Sequence, residues 1–370
     1  MGGEFAYTMN VMDMDDRSLM NRALMLASKA RGKTSPNPMV GAVMVKDGRV
    51  IAEGYHRRPG TPHAEMLTIM EAGENARSST LYINLEPCCH TEKRTPPCTR
   101  AILEAGIKKV VVAMKDPNPM VSGKGIRELK GAGVEITCGV LEEKARRLNE
   151  SYVKYITTKE PFVTLKVAMT LDGKIATPEG QSKWITGKEA RHLVHRLRSS
   201  ADAILTAIGT VKADDPELTA RIRGGRNPLR VVIDPDIETP LDAKVLRTPP
   251  DTIIVTREKG SDGKIKKLEK TGIKFIFFKE TLDLHLLARR LGEMGVTSVL
   301  VEGGSSLNAH AIEQGIVDKV MFFIAPKIIG GRDSFPSIGG KTFRRLDEAY
   351  SLRDMKVRRV GDDLLVEGYL

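Results

Sequence analysis

Aromatic residues make up only 5% of this 370-residue chain, tryptophan occurs once, and there are four cysteines. So few aromatics leave little from which to build the stacking platforms that grip single-stranded nucleic acid. Four cysteines in a chain of this length do not make a disulfide scaffold, and they point to a reducing compartment. Met1 to Met14 lacks a continuous apolar stretch of the kind a secretory leader carries, and Met1 to Phe5 reads as an expression scar or an upstream start. No run is long and apolar enough to span a membrane, so a cytoplasmic protein is expected. Acids are in deficit, 47 against 58 Lys and Arg, which leaves a formal net charge of +11. The bases are scattered among acids, so the expected partners are phosphorylated small molecules, with no nucleic acid and no membrane. Hydrophobic content of 41% and charged content of 28% suit a globular protein, and the length exceeds what one core usually serves, so two domains are expected.

The chain is organised around Thr61-Pro62-His63-Ala64-Glu65 and the stretch from Glu86-Pro87-Cys88 to Thr95-Pro96-Pro97-Cys98. Zinc takes imidazole nitrogen and thiolate sulfur tetrahedrally, and a catalytic zinc keeps one of its four positions for water. His63, Cys88 and Cys98 supply one nitrogen and two sulfurs, and Glu65 is left to carry protons between water, ring and leaving ammonia. A His-x-Glu followed by Pro-Cys and a further Cys is the signature of zinc-dependent nucleobase deaminases. Thr61 with Pro62, and Thr95 with Pro96, read as helix starts, which puts Cys98 in a first turn where the dipole favours thiolate. A Cys88–Cys98 disulfide is the competing reading, disfavoured by the reducing compartment. Cys89 and His90 are also chemically able to bind zinc.

Around these motifs the elements alternate. Asp15 to Ala30 reads as a helix with Leu19, Ala23, Leu26, Ala27 and Ala30 on one side. Strands are expected at Val40–Val45 and Val50–Gly54 about the turn Lys46-Asp47-Gly48, then at Thr80–Asn84, Lys109–Met114 and Val134–Cys138, with helices at Gly123–Lys130 and Leu141–Ile156. This is an α/β/α sandwich. Cys138 reads as a buried small apolar residue.

On Pro36-Asn37-Pro38-Met39-Val40-Gly41-Ala42-Val43, His56 through Glu65, and Leu85-Glu86-Pro87-Cys88 through Pro97-Cys98, the first half resembles the deaminase domain of bifunctional riboflavin biosynthesis enzymes, a cytidine-deaminase-like fold. The resemblance implies that Asn37, His56 and His90 hold the pyrimidine and its phosphoribosyl arm. From the residues alone, Asn37 is a turn residue and both histidines are exposed loop residues. The family usually carries Ser-His after the first Cys and Gly-Lys before Thr-Pro-Pro-Cys. Here Cys89-His90-Thr91-Glu92-Lys93-Arg94 is one residue longer and has no glycine, which leaves open whether Lys93 or Arg94 takes the family's substrate-binding place.

A polar, proline-ended stretch, Thr157-Thr158-Lys159-Glu160-Pro161, marks the boundary between domains expected at 1–157 and 161–370. Beyond it, strands are expected at Phe162–Ala168, Ala203–Thr206, Leu229–Ile233, Thr252–Val255, Lys274–Phe278 and Ser298–Val301, with helices at Gly187–Ser199 and Asp283–Met294. His192 and His195 are spaced for a metal, but a solvated basic helix is the better reading. Glu302-Gly303-Gly304-Ser305-Ser306-Leu307 runs from a strand into a helix over Asn308–Gln314, an arrangement that suits a phosphate or pyrophosphate. It is not the G-x-G-x-x-G fingerprint, so a Rossmann domain is not expected.

On Pro161 to Thr186, Arg198 to Arg221, Val301 to Leu307 and Ala325 to Gly331, the second half resembles the reductase domain of the same enzymes, a dihydrofolate-reductase-like α/β fold. The resemblance implies deamination of 2,5-diamino-6-ribosylamino-4(3H)-pyrimidinone 5′-phosphate, then NADPH-dependent reduction of the ribosyl group to ribityl. It places the cofactor at Ala168, Trp184, Thr210, Asp214, Gly303, Gly304, Ser305, Ser306 and Leu307. It places the substrate at Ser182, Arg198, Leu218, Arg221 and Glu302. Arg198 and Arg221 could hold a phosphate with planar forks, and Lys166 and Glu302 are the candidates for handling the proton as the sugar ring opens. For Trp184, core packing competes with cofactor contact. The resemblance also implies a homo-oligomer. Two rivals remain: a single-function nucleobase or tRNA deaminase with a non-catalytic C-terminal domain, and a non-catalytic binding protein.

Overall fold

The computed structural model describes residues 15–89, 96–249, 251–258, 262–340 and 345–370. The chain forms two compact units that meet between Thr158 and Lys159.

The first unit is built on a five-stranded sheet. Its strands are β1 (Gly41–Lys46), β2 (Arg49–Tyr55), β3 (Thr80–Leu85), β4 (Lys109–Met114) and β5 (Glu135–Cys138), in the order β2-β1-β3-β4-β5. β1 and β2 form a hairpin whose last pair is Lys46 with Arg49, so Asp47-Gly48 is a two-residue turn. Both turn residues have positive φ, 50° and 71°, the mirror-image turn that matches strand twist and that an Asp-Gly pair favours. β3, β4 and β5 run parallel, and β3 and β4 are almost wholly buried, as strands covered on both faces must be. The helices are α1 (Asp16–Ser28), α2 (Ala64–Ala72), α3 (Cys98–Glu104), α4 (Lys124–Gly131), α5 (Glu142–Leu148) and α6 (Glu150–Thr158). Asp15 caps α1 by accepting from the Ser18 amide, and Leu19, Ala23, Leu26, Ala27 and Ala30 are all buried, as the periodicity requires. A Cβ at Gly41 would stand 2.2 Å from the Ala23 carbonyl, so glycine is what lets α1 lie directly on β1.

Two expectations need correction here. Leu141–Ile156 is not one helix: it breaks at Asn149, whose φ of −107° and ψ of 24° leave the helical region. Cys138 is exposed at the end of the edge strand β5. As the last strand of the sheet β5 lacks a neighbour on one side, and its terminal residue is left open to solvent.

The second unit holds a nine-stranded sheet in the order β11-β10-β9-β8-β12-β6-β13-β16-β15. These strands are β6 (Phe162–Thr170), β8 (Ala203–Ala207), β9 (Leu229–Ile233), β10 (Thr252–Arg257), β11 (Lys274–Phe278), β12 (Ser298–Val301), β13 (Lys319–Ala325), β15 (Arg353–Val360) and β16 (Asp363–Tyr369). β7 (Lys174–Ala176) and β14 (Phe335–Pro336) pair separately. From β11 to β13 the neighbours are parallel, and β16 and β15 add an antiparallel edge. The helices are α7 (Lys188–Ser200), α8 (Ile208–Asp214), α9 (Asp262–Glu269), α10 (Leu284–Glu293) and α11 (Ser305–Glu313). α11 starts three residues before the expected Asn308, immediately after the two glycines. The carboxyl ends of β6, β8 and β12 lie side by side, because these strands are adjacent and parallel. A crevice at such strand ends is where open α/β sheets place their ligands.

Candidate active sites

In the first unit, the extended residue before α2 meets the first residue of α3. His63 is the N-cap of α2, with φ of −71° and ψ of 165°, and Cys98 is the first residue of α3, with Pro97 at its N-cap. The expected starts at Thr61-Pro62 therefore move two residues on: Thr61 instead donates its hydroxyl to the Arg58 carbonyl. Thr95 lies outside the described residues, as do His90, Lys93, Arg94 and Met1 to Met14. His63 Nδ1 lies 3.2 Å from Cys98 Sγ and 3.6 Å from Cys88 Sγ. The ligand atoms of His63, Cys88 and Cys98 all fall within 4.8 Å of one another, the one such grouping among the described residues. Tetrahedral zinc asks for N–S and S–S separations of about 3.6 and 3.8 Å, so the donor set and its spacing fit that ion. The Cys98 amide points at Cys88 Sγ from 3.4 Å, and Cys88 and Cys98 are not joined in a disulfide.

Glu65 sits in the first turn of α2 and is 3% exposed. Burial pushes its carboxyl above the ordinary glutamate range, the Cys88 thiol adds to this, and His63 opposes it. His56 is also buried, 3% exposed, so it is not an exposed loop histidine. Its ring stands edge-on to that of His63 with centroids 5.3 Å apart. Its Nε2 lies 3.2 Å from Asn37 Nδ2 and its Nδ1 3.3 Å from the Pro62 carbonyl. Those partners suit a neutral imidazole that donates through Nδ1 and accepts through Nε2. Burial holds the His56 pKa below its ordinary value, only partly offset by the Pro62 carbonyl, and His63 lowers it further.

The Cys88 loop is held from below by Glu86, whose buried carboxylate accepts from the amides of Asp116, Gly123 and Ile126 at 3.2, 2.9 and 3.1 Å. A Cβ at Gly125 would lie 2.2 Å from the Pro87 carbonyl, so α4 packs directly against the turn that presents Cys88. Asp116 is buried beside Glu86 and accepts from Tyr152 Oη at 2.8 Å. Burial pushes its carboxyl up to about 6, against the pull of the Asn118 amide and Tyr152. Neither Glu86 nor Asp116 carries a signal in the sequence beyond its nearness to Pro-Cys or to Pro-Asn-Pro.

In the second unit three charged side chains converge. Glu302, one residue past β12, is 8% exposed. Arg198 from α7 grips it with both edges of its fork, Nε to Oε1 at 2.7 Å and Nη2 to Oε2 at 2.9 Å. Lys166 from β6 donates Nζ to Oε2 at 3.2 Å. Burial alone would raise the Glu302 carboxyl, but Arg198 and then Lys166 outweigh it and hold it far below the glutamate range. The planar fork expected to await a phosphate at Arg198 is thus engaged by Glu302, and its Nη1 reaches the Thr219 carbonyl at 3.3 Å. Arg221 is half exposed and paired with Glu217 at 2.9 Å. Leu218 is buried with φ of 54°. Burial first, then Arg198, lowers the pKa of His195, which lies 3.3 Å from the Thr219 carbonyl.

Of the expected cofactor positions, Gly303 to Leu307 follow directly on β12 and Glu302. A Cβ at Gly303 would strike the Leu307 side chain at 2.7 Å, and one at Gly304 would meet Thr210 Oγ1 at 3.7 Å. Gly304 is the N-cap of α11, and buried Ser305 Oγ has no hydrogen-bond partner among the described residues. A glycine approach, a helix N-terminus and an unmatched buried hydroxyl fit the phosphates of a dinucleotide. Ser182 donates to Asp214 at 2.7 Å, and Ala168 lies on β6 opposite Phe323 of β13. Trp184 is 62% exposed, so it is not a core residue. The Arg191 guanidinium covers its ring at 4.6 Å, and Lys327 donates to its carbonyl at 2.7 Å.

Comparison with known proteins decides between the rivals. Residues 13–114 match the cytidine and deoxycytidylate deaminase zinc-binding region, and residues 161–366 match the RibD C-terminal domain. Riboflavin biosynthesis protein RibD of Aquifex aeolicus is 45% identical over 95% of this chain and 97% of its own. The chain belongs to the RibD family. The Escherichia coli RibD is 37% identical over 95% of this chain and 98% of its own. Among solved structures, Acinetobacter baumannii RibD matches with a TM-score of 0.86 at 35% identity, over 96% of this chain and 98% of that one. The Thermotoga maritima diaminohydroxyphosphoribosylaminopyrimidine deaminase/5-amino-6-(5-phosphoribosylamino)uracil reductase matches with a TM-score of 0.86 at 38% identity over the same shares. The chain is thus a bifunctional deaminase and reductase of riboflavin biosynthesis, a zinc-dependent hydrolase joined to an NADPH-using oxidoreductase. It acts on small molecules, and no helix among the described residues is long and apolar enough to cross a membrane.

Proposed function

We propose that the unit ending near residue 157 deaminates a phosphorylated diaminopyrimidinone riboside and that the unit from 161 onward reduces its ribosyl group to ribityl. The observation that carries this reading is the pair of clusters at the two strand-end sites, His63–Cys88–Cys98 beside Glu65, and Lys166–Glu302–Arg198 beside the Gly303–Leu307 turn.

In the first site, zinc held by His63, Cys88 and Cys98 supplies the Lewis acidity that makes water nucleophilic near neutral pH. Glu65 accepts one proton from water at its carboxylate and passes it to the pyrimidine ring, then takes the second proton from the added hydroxyl and passes it to the departing amine, a task its burial suits. Asn37 and neutral His56 orient the pyrimidine, and His90 belongs to the same substrate set.

In the second site, NADPH bound along Gly303 to Leu307 would supply hydride for the first carbon of the sugar. Lys166 gives a proton at Nζ to the ring oxygen as the sugar opens. Glu302 is ionised by its two cationic partners, so it is a poor acid. It instead holds the Lys166 ammonium at Nζ and aims it at the substrate. With Arg198 engaged by Glu302, half-exposed Arg221 is the better holder of the substrate phosphate, with Ser182 and Leu218 beside the sugar. Ala168, Trp184, Thr210, Asp214 and Gly303 to Leu307 receive the cofactor. A cytoplasmic homo-oligomer completes the reading, with the exposed edge strand β15 as a surface through which sheets could associate.

A product assay by mass spectrometry tests this. Zinc-loaded protein receives the diaminopyrimidinone ribosyl phosphate alone and then with NADPH. Deamination in the first tube, and deamination plus a two-hydrogen gain in the second, are the expected results. Deamination without reduction in the second tube would overturn the assignment of the second site, and no turnover in either would overturn both.

A further inference from the structure

Met39 follows Asn37 by two residues and precedes β1, so strand pairing does not account for its main chain. Two fully buried carboxamides do. Asn149, 2% exposed, accepts from the Met39 amide at 2.8 Å and donates to the Met39 carbonyl at 3.0 Å. Asn84, 0% exposed and on β3, also donates to the Met39 carbonyl at 3.0 Å and accepts from the Gly41 amide at 2.8 Å. Asn149 imitates a β-ladder partner for one residue, and it does so from the break between α5 and α6. The segment is tied once more where the His56 amide donates to the Val40 carbonyl at 2.8 Å. Asn37 Nδ2 and His56 Nε2, 3.2 Å apart, therefore stand on a main chain whose position two side chains from remote elements determine.

We infer that Asn149 and Asn84 are positioning residues for substrate recognition in the deaminase: by fixing the Met39 main chain they set Asn37 against His56. The helix breaks at this same residue, so its side chain reaches Met39 from the break. Buried carboxamides with both ends satisfied are rigid supports, whereas truncating Asn149 leaves the Met39 amide unmatched and its carbonyl held by Asn84 alone. This inference rests on the reading of Asn37 and His56 as substrate contacts.

The test uses the full, zinc-loaded chain and the diaminopyrimidinone ribosyl phosphate, with Asn149→Ala, Asn149→Asp, Asn37→Ala and the double variant Asn37→Ala/Asn149→Ala. Asn149→Ala should raise the deaminase KM about tenfold while kcat stays within about threefold, the size of one or two lost buried hydrogen bonds. Zinc content and reduction of the supplied deaminated substrate should stay unchanged. The double variant should have a KM close to that of Asn37→Ala alone, since the two act through one contact. Asn149→Asp keeps an acceptor for the Met39 amide but turns a buried carboxylate oxygen towards the Met39 carbonyl, so its KM should rise at least as far as that of Asn149→Ala; Asn149→Ser, small and uncharged, carries the test if Asn149→Ala does not fold. An unmoved KM in a folded Asn149 variant, a loss of zinc together with kcat, or strict additivity in the double variant would overturn the inference while leaving the contacts of Asn37 in place. An unmoved KM in Asn37→Ala would overturn the contact reading itself, and the inference with it.

Discussion

His63, Cys88 and Cys98 bring one imidazole and two thiols together around a space that a metal fits, whereas at Glu302 two cations from different elements close on one carboxylate. The first site imports the positive charge it needs; the second is built with its own. The buried carboxylates beside each site differ in the same sense. Asp116 lies next to another acid, Glu86, and burial raises it to about 6. Glu302 is buried as deeply, but Arg198 and Lys166 hold it far below the glutamate range. Burial is common to both, so the sign of the neighbouring charge decides which protonation state the fold favours.

The sharpest way to separate the two sites is to remove a zinc ligand. Cys98→Ser should cost zinc and about a thousandfold in deamination, the several kcal/mol a Lewis acid contributes. Reduction of the deaminated substrate should be untouched. Metal analysis and the two activities, assayed separately, check this; a parallel fall in both would break the comparison. At the second site the corresponding change is Glu302→Gln, which leaves two buried cations facing a neutral group. Removing one member of a buried ion cluster costs about 3–5 kcal/mol, so the thermal transition of the second unit should fall and reduction should be lost. The pH dependence has a definite sign. A depressed carboxyl contributes stability that is fully present above its unfolded value, ordinarily 4.5 for glutamate, and is lost as pH falls through the lower folded value. The wild-type advantage over Glu302→Gln should therefore be constant from neutral pH down to about 4.5 and shrink progressively in stronger acid.

A smaller effect distinguishes aiming from chemistry within the cluster. Lys166→Met should lower the reductase kcat about a hundredfold, the lower end for a lost general acid, with little change in the KM for the deaminated substrate. If KM rose instead and kcat held, Lys166 would be a binder. Smaller again is Asp116→Asn, where the pH argument reverses. A raised carboxyl means that the folded chain keeps a proton the unfolded chain has released. Stability is therefore lost as pH rises from 3.8 towards about 6 and is flat above. Asparagine can still accept from Tyr152 and from the Asn118 amide, so Asp116→Asn should stabilise the first unit by about 1–3 kcal/mol at pH 8. The gain should disappear near pH 4. Thermal melts at the two pH values read it directly, and a gain at pH 4 equal to that at pH 8 would contradict the raised carboxyl.

What could be read in the sequence follows the length over which each feature is encoded. The zinc ligands lie in two short motifs whose chemistry is visible residue by residue, and the Asp47-Gly48 turn is fixed by two adjacent residues. The helix starts were misplaced by two residues because Thr-Pro is a general signal, whereas His63 must stay extended for its ring to face Cys98. The Lys166–Glu302–Arg198 cluster was legible as separate candidates but not as one unit, since its members come from β6, α7 and the end of β12 and meet only through strand order. Asn149 carried no signal at all: an asparagine inside a helical pattern is ordinary, and its role depends on a main chain 110 residues earlier. The strands β13, β15 and β16 were not assigned from sequence. β15 is exposed along almost its whole length, so the alternation that marks a half-buried strand is missing there.

The smallest predicted effect concerns the tryptophan that sequence reading could not place. Trp184 is the chain's single tryptophan and 62% exposed, with the Arg191 guanidinium 4.6 Å above its ring. Arg191 is itself fixed, because Nη1 donates to the Thr186 carbonyl at 2.6 Å, and Lys327 donates to the Trp184 main-chain carbonyl. On the proposed reading this exposed ring, stacked under Arg191, covers the cofactor, and its emission reports on that one position. Arg191→Ala removes a cation–π contact worth about 0.5–1 kcal/mol at an exposed site, so the Kd for NADPH, followed by tryptophan emission, should rise roughly two- to fivefold. Arg191→Lys keeps the charge but loses the planar stack and should fall between. Deamination should not respond to either change, because Arg191 belongs to the unit that carries its own charges. An NADPH titration identical in wild type and Arg191→Ala would leave Trp184 outside the cofactor site and reduce the second site to the Lys166–Glu302–Arg198 cluster and the Gly303–Leu307 turn.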